Sequence, residues 1–243
     1  MPAPAPSLSP LLTGILRIAG VSLAFLIVIL FVRSRFPLSK EWLRKLIHIA
    51  AVTAVAVWLY AFPDWKTAAW TDVAFFVPVY LFLYILERTD RLTFFSEITA
   101  ERSKGELRKS FCAICGMFLI LVLIPWGLLG EHTLALAALL AWGPGDAAAA
   151  LVGKRYGKTK IGPEKKKSLE GSLAMAVCSV ASVLVVLLAS GTFPPVPAIF
   201  AALVTGAATA AVELYETKGL DTLYCPLIAA LILCVFRLLS ASV

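Results

Sequence analysis

Eight stretches of this chain are long and apolar enough to cross a bilayer as helices, which leaves room for little but a polytopic membrane fold. A spanning helix needs about 20 mostly apolar residues, because each residue rises about 1.5 Å through a hydrocarbon core about 30 Å thick. The stretches lie near 11–32, 43–62, 70–86, 109–129, 133–152, 170–190, 196–214 and 222–239. The third is short and carries Asp72 and Pro78, so seven helices is the alternative count. Hydrophobic residues make up 60% of the chain, against ~45–50% in soluble domains. No polar block is long enough to fold alone. The expectation is therefore all-α, a single polytopic membrane domain over 11–243, preceded by a proline-rich disordered tail at 1–10. That tail has no lysine or arginine, unlike the start of a signal peptide.

Charge sets the expected orientation. Of the 22 basic residues, 19 fall in alternate loops: Arg33 to Lys45, Arg88 to Lys109, Lys154 to Lys167, and Lys218. Cytoplasmic loops collect lysine and arginine, so these loops are expected in the cytoplasm and both termini outside. The net charge of +7 is then a property of loops, and with no aromatic-interleaved basic domain a nucleic-acid partner is excluded. Cys112 and Cys115 form a CxxC, but there is no second pair, and His48 and His132 are far away in sequence. All five cysteines read as small apolar packing residues.

Chemistry is expected in four places. Asp146 sits inside an apolar run, about seven residues or 10 Å before the third basic loop. A carboxylate at that depth costs at least ~2.5 kcal/mol and usually faces a polar cavity or a partner. The preceding Gly143-Pro144-Gly145 is expected to interrupt the helix; the other reading of Asp146 is a structural pair with a lysine. The loop "GKRYGKTKIGPEKKKSLEG" is no Walker loop, because only three residues separate Gly153 from Gly157-Lys158-Thr159 where four are required. It still holds the ingredients of a phosphate site. Gly153, Gly157 and Gly171 permit close backbone approach, and Lys158, Lys166 and Lys167 supply charge. Ser168 is placed to cap the sixth helix, whose N–H groups would face an anion. The alternative is an orienting loop that touches lipid headgroups. In "EWLRKLIHIA", Arg44, Lys45 and His48 share one side of the start of helix two. Finally, Glu213 and Asp221 flank the last basic loop on the same side as Asp146. The three carboxylates are candidates to hold Mg2+ or a similar divalent ion with a triphosphate.

At these residues the chain resembles the CTP-dependent membrane lipid kinases, a family that includes dolichol, phytol and farnesol kinases and the yeast-type diacylglycerol kinase. "GDAAAALVGKRYGKTKI" followed by "KKSLEGSLAM" is similar to the family's nucleotide-binding signature, and "EWLRKLIH" is similar to its "ELxRKxxH". Three positions depart from the pattern: Trp42 replaces a small aliphatic in "EWLRKLIH", Ser110 replaces a glycine in "GELRKSF", and Thr222 stands where the family's "DN" carries asparagine. The distantly similar phosphatidate cytidylyltransferases have a further block after their "EG" segment that has no counterpart here.

The resemblance implies an integral enzyme of a bacterial or archaeal plasma membrane. It would transfer phosphate from CTP to the hydroxyl of a long-chain lipid alcohol at the cytoplasmic face. It implies Asp146 as metal ligand or proton acceptor, with His48 the second candidate base. Lys166, Lys167 and Ser168 would contact phosphates, Glu170 would orient their turn, and Arg44 and Lys45 would complete the cavity. A CDP-lipid-forming cytidylyltransferase and a non-enzymatic transporter or lipid-binding protein are the alternatives.

Overall fold

The structure, a computed structural model, describes residues 8–36, 39–89, 105–217 and 219–241. Arg91, Arg102, Lys104 and Lys218 of the basic loops, and residues 1–7 of the expected tail, lie outside the described residues. Among the described residues, eight helices are long and apolar enough to span a membrane. They are α1 (Leu8–Arg35), α2 (Lys40–Ala61), α3 (Trp65–Arg88), α4 (Glu106–Leu121), α5 (His132–Tyr156), α6 (Leu169–Ser190), α7 (Pro195–Tyr215) and α8 (Asp221–Ala241). α4 continues as a π-helical segment, Val122–Leu128, around Pro125, where the wider turn accommodates a residue without an N–H. α1 begins at Leu8, so the expected tail is three residues shorter at its inner end.

The helix ends follow local chemistry. Asp64 caps α3, its carboxylate accepting from the Thr67 N–H at 2.9 Å and the Thr67 hydroxyl at 2.7 Å. That cap starts α3 five residues before the apolar run expected from 70, and the helix passes through Pro78 without ending. The third span is therefore full-length, and the count is eight. α6 ends on Gly191 at φ +65, a left-handed turn open to glycine.

By its internal contacts the chain divides into two compact units, one up to Leu119 and one from Ile120 on. In the first, α1 packs on α2 and α3, and the Trp58 ring meets Phe75 and Phe118 edge-on at 6.5 and 6.0 Å. Asp72 lies in this unit about 12 Å along the helix from Asp64. It is 3% exposed, its carboxylate bonds the Cys115 thiol, and its Oδ1 has no hydrogen-bond partner in the structure. Cys115 thus does more than fill space.

In the second unit α5 is central and packs on α6, α7 and α8. Its buried face is made of small residues, with Ala135, Ala137, Ala138 and Ala141 fully buried. In lipid, helix association comes from close contact rather than from escape from water, and small side chains allow it. Over the whole surface, side chains such as Leu16, Phe82, Val177 and Leu238 are more than half exposed, as expected of helices whose outer faces meet lipid.

One expectation for α5 is corrected. Gly143-Pro144-Gly145 does not interrupt the helix, which runs continuously from His132 to Tyr156. Pro144 can donate no hydrogen bond to the preceding turn, and in that turn the Ser179 hydroxyl of α6 donates to the Ala141 carbonyl at 2.5 Å. The carbonyl that loses its donor is that of Leu140, one residue earlier, so the serine ties α6 to the proline-containing turn rather than replacing the missing bond. Gly145 serves packing instead: a Cβ there would lie 2.7 Å from Ser179 Oγ and 3.1 Å from Met175 Cγ.

Candidate functional site

The second unit contains a cavity of about 270 Å³ where the C-terminal half of α5 meets the start of α6. On α5 the wall is Asp146, Ala149, Ala150, Gly153 and Lys154, a spacing that keeps all five on one helical face. The two alanines are small and leave the space between the helices open. From α6 come Gly171 and Ser172, from its N-cap Ser168, and from α7 Glu213.

The glycines expected to admit a phosphate admit α6. A Cβ on Gly171 would lie 2.9 Å from the Ala149 carbonyl and 3.2 Å from Gly153 Cα, and one on Gly153 would lie 3.0 Å from Ser168 Oγ. Gly157 is closed in the same way, with Ser168 Oγ at 2.6 Å from such a Cβ. Close helix approach is what these residues provide; Gly153 and Gly171 also border the cavity, and Gly157 does not.

The basic loop folds into a small antiparallel hairpin that the all-α expectation lacked. β1 (Lys160–Ile161) pairs with β2 (Lys167–Ser168) in the register Lys160↔Ser168 and Ile161↔Lys167. Gly162 at φ +82 makes the turn, closed by the Lys165 N–H on the Gly162 carbonyl at 3.2 Å. The hairpin brings Lys160, Lys166 and Lys167 to the cavity, while Lys158 is exposed and not among its lining residues. Lys166 also meets Glu164 at 2.5 Å, but both side chains are largely in solvent, and such pairs hold little energy.

Ser168 caps α6, its hydroxyl oxygen accepting from the Gly171 N–H at 3.2 Å. The expectation that the first N–H groups of α6 face an anion is not met. The Leu169 N–H goes to the Thr159 carbonyl at 2.9 Å, and the Glu170 carboxylate accepts from its own N–H and from that of Thr159. These bonds tie the hairpin to the helix start and leave anion attraction to the lysines and the helix dipole.

The three carboxylates lie within electrostatic reach of one another, each with different neighbours. Glu213, 11% exposed at its side chain, pairs with Lys167 Nζ at 2.8 Å. Asp221 accepts from Trp142 Nε1 at 3.4 Å and is outside the cavity wall. Asp146 is half-buried on that wall. Among the described residues, no three His, Cys, Asp or Glu side chains are grouped closely enough to cage a metal alone. A Mg2+ that enters with phosphates needs only one or two carboxylates, and Asp146 beside the lysine cluster fits that demand.

Arg44, Lys45 and His48 lie on α2 in the first unit, each half-buried. Arg44 is 3.5 Å from Glu106 at the start of α4. Lys154, Lys160 and Ser172 border the cavity and were not singled out from the sequence. Lys154 lies eight residues after Asp146 and Ser172 four after Ser168, so both are readable as same-face positions once the helices are fixed. Lys160 needed the hairpin register.

Comparison with protein families, with characterised proteins and with solved structures finds no match to this chain.

Proposed function

We propose that this protein is an integral-membrane kinase that transfers the γ-phosphoryl group of CTP to the hydroxyl of a long-chain lipid alcohol. A polyprenol or phytol-like alcohol is the first choice, and diacylglycerol the second. The observation that carries the reading is the cavity shared by Asp146 and four lysines, Lys154, Lys160, Lys166 and Lys167, at one end of membrane-spanning helices. That density of positive charge suits a triphosphate, with Glu213 already paired to Lys167 and Asp146 left beside the lysines, and a lipid hydroxyl can reach a helix end without leaving the bilayer. The choice of CTP rests on the sequence resemblance.

In the reaction the alcohol oxygen bonds to the γ-phosphorus, the bond from that phosphorus to the β–γ bridging oxygen breaks, and CDP leaves. Such transfers need positioning and charge neutralisation above all. Lysines 154, 160, 166 and 167 would hold the phosphate oxygens. Asp146 has two uses there, as the protein ligand of Mg2+ and as acceptor of the hydroxyl proton. Mg2+ bound with the nucleotide supplies charge neutralisation on the phosphates. The distribution of basic loops supports a cytoplasmic location for the cavity, in a bacterial or archaeal plasma membrane. Reporters fused to either terminus are then expected on the outside, and a cytoplasmic reading would overturn that orientation.

The test is to give purified protein labelled CTP, Mg2+ and a panel of phytol, farnesol, undecaprenol and diacylglycerol. The kinase produces a phosphorylated alcohol and CDP. Pyrophosphate with a CDP-lipid would make it a cytidylyltransferase, and no CTP turnover would leave a transporter or lipid-binding protein. Asp146→Asn is expected to lower turnover by about 10²–10⁴-fold while the protein stays folded.

A further inference from the structure

The hairpin that carries three of the four cavity lysines is short, with two residues in each strand, and isolated two-stranded hairpins are marginal in water. Something else must hold it: the start of α6 ties it at Thr159, and the end of α7 holds its turn and its second strand. Gly162, at the hairpin turn, packs on Leu214: a Cβ there would lie 3.1 Å from Leu214 Cδ1 and 3.2 Å from its carbonyl oxygen. Lys167, in β2, reaches the preceding residue. Its ammonium lies 2.8 Å from Glu213 Oε1 and also donates to the Glu213 main-chain carbonyl. Two adjacent residues of α7 therefore grip the hairpin at its turn and at its second strand.

This arrangement changes what Glu213 does. An ammonium has three donors; two of Lys167's are taken by Glu213, and the residue still borders the cavity. Resting on the kinase reading above, we infer that Glu213 is a positioning residue, which seats the basic hairpin through Lys167 and leaves one Lys167 donor for a phosphate, rather than a ligand of the metal. Leu214 completes the seat from the turn side. The last turn of α7 then controls nucleotide affinity at a site otherwise built from α5 and α6.

Two measurements on the intact protein in detergent decide this. The first needs no activity: amide hydrogen exchange over residues 159–168 in Glu213→Ala against the parent chain. Protection is expected to fall at least about tenfold, because the variant removes the ionic half of the grip. Unchanged protection would overturn the seat. Glu213→Gln, which keeps the shape and an acceptor oxygen, is expected to restore most of it.

The second is a double-mutant cycle between Lys167→Ala and Glu213→Ala, read as the KM for CTP and as the Mg2+ concentration for half-maximal rate at saturating CTP. Residues that act through one contact are non-additive, so the double variant is expected to match Lys167→Ala, each single change raising KM about tenfold with the Mg2+ requirement unmoved. Additive losses, or a shifted Mg2+ requirement in Glu213→Ala, would return Glu213 to the metal. If the parent protein turns over no CTP, the kinase reading fails while the exchange measurement still decides the seat.

Discussion

Asp64 and Asp72 stand eight residues apart on one helix and show how depth changes a carboxylate's meaning. Asp64, at the water-facing end of α3, is held below the usual carboxylate range. Partial burial opposes this, but hydrogen bonds from the Thr67 N–H and hydroxyl, helped by Lys66, outweigh it. A depressed folded value stabilises the protein above the unfolded value near 3.9, and that contribution is lost as pH falls through the folded value. Asp64→Ala is therefore expected to cost about 1 kcal/mol near neutrality. The gap in melting temperature between variant and parent should narrow as pH falls below the unfolded value and through the lower folded one. A gap that persists undiminished in acid would mean that packing, not the charged cap, is what the substitution removed. Asp72, by contrast, is inside the membrane span with one oxygen unpartnered, and intramembrane carboxylates of this kind mark sites of function more often than of stability. From the sequence Asp72 was only a flaw in a short apolar run; its burial and its bond to Cys115 needed the packing of α3 on α4.

At the scale of elements, apolar length was enough to place the eight helices of the described residues, with ends moved by up to five residues, at starts by polar caps such as Asp64 and at ends by charged last turns such as that of Arg33 and Arg35. What was not legible was anything that depends on a neighbour. Gly143-Pro144-Gly145 reads locally as a break, yet α6 packs against Gly145 and Ser179 bonds the Ala141 carbonyl beside it, and no local pattern announces that. The hairpin was equally hidden, because four residues of strand carry no periodicity and its register is set by contacts with α6 and α7. The continuous α5 yields a sharp contrast. Pro144→Ala restores a donor inside a helix that is already intact and is expected to leave thermal stability equal or higher. Gly145→Val must push against Met175 and Ser179 and is expected to lower the melting temperature, since overpacking costs about 1–3 kcal/mol. Should the proline variant be the damaging one, the break would be functional after all.

For the whole molecule, the division of labour between helices has a consequence for how the chain enters the membrane. α5 is the most buried span of its unit, with half of its apolar window inside the protein. Its mean hydropathy is 1.5, against 2.5 for α6, 1.7 for α7 and 2.2 for α8. The alanines and glycines that let α6 approach, together with Asp146, are the residues that make α5 a weak lipid-soluble segment. During synthesis α5 leaves the ribosome before the helices that will cover it. A translocating channel would meet a span that lipid alone holds poorly, and α6, emerging next, is the partner able to retain it. In chains truncated near Lys160, a glycosylation reporter placed beyond α5 is expected to show a mixture of inserted and uninserted forms, resolved to one form when α6 is restored. Full insertion of the truncated chain would mean that α5 needs no partner. The small residues and the carboxylate that shape the cavity would then also make α5 depend on α6 for its place in the membrane.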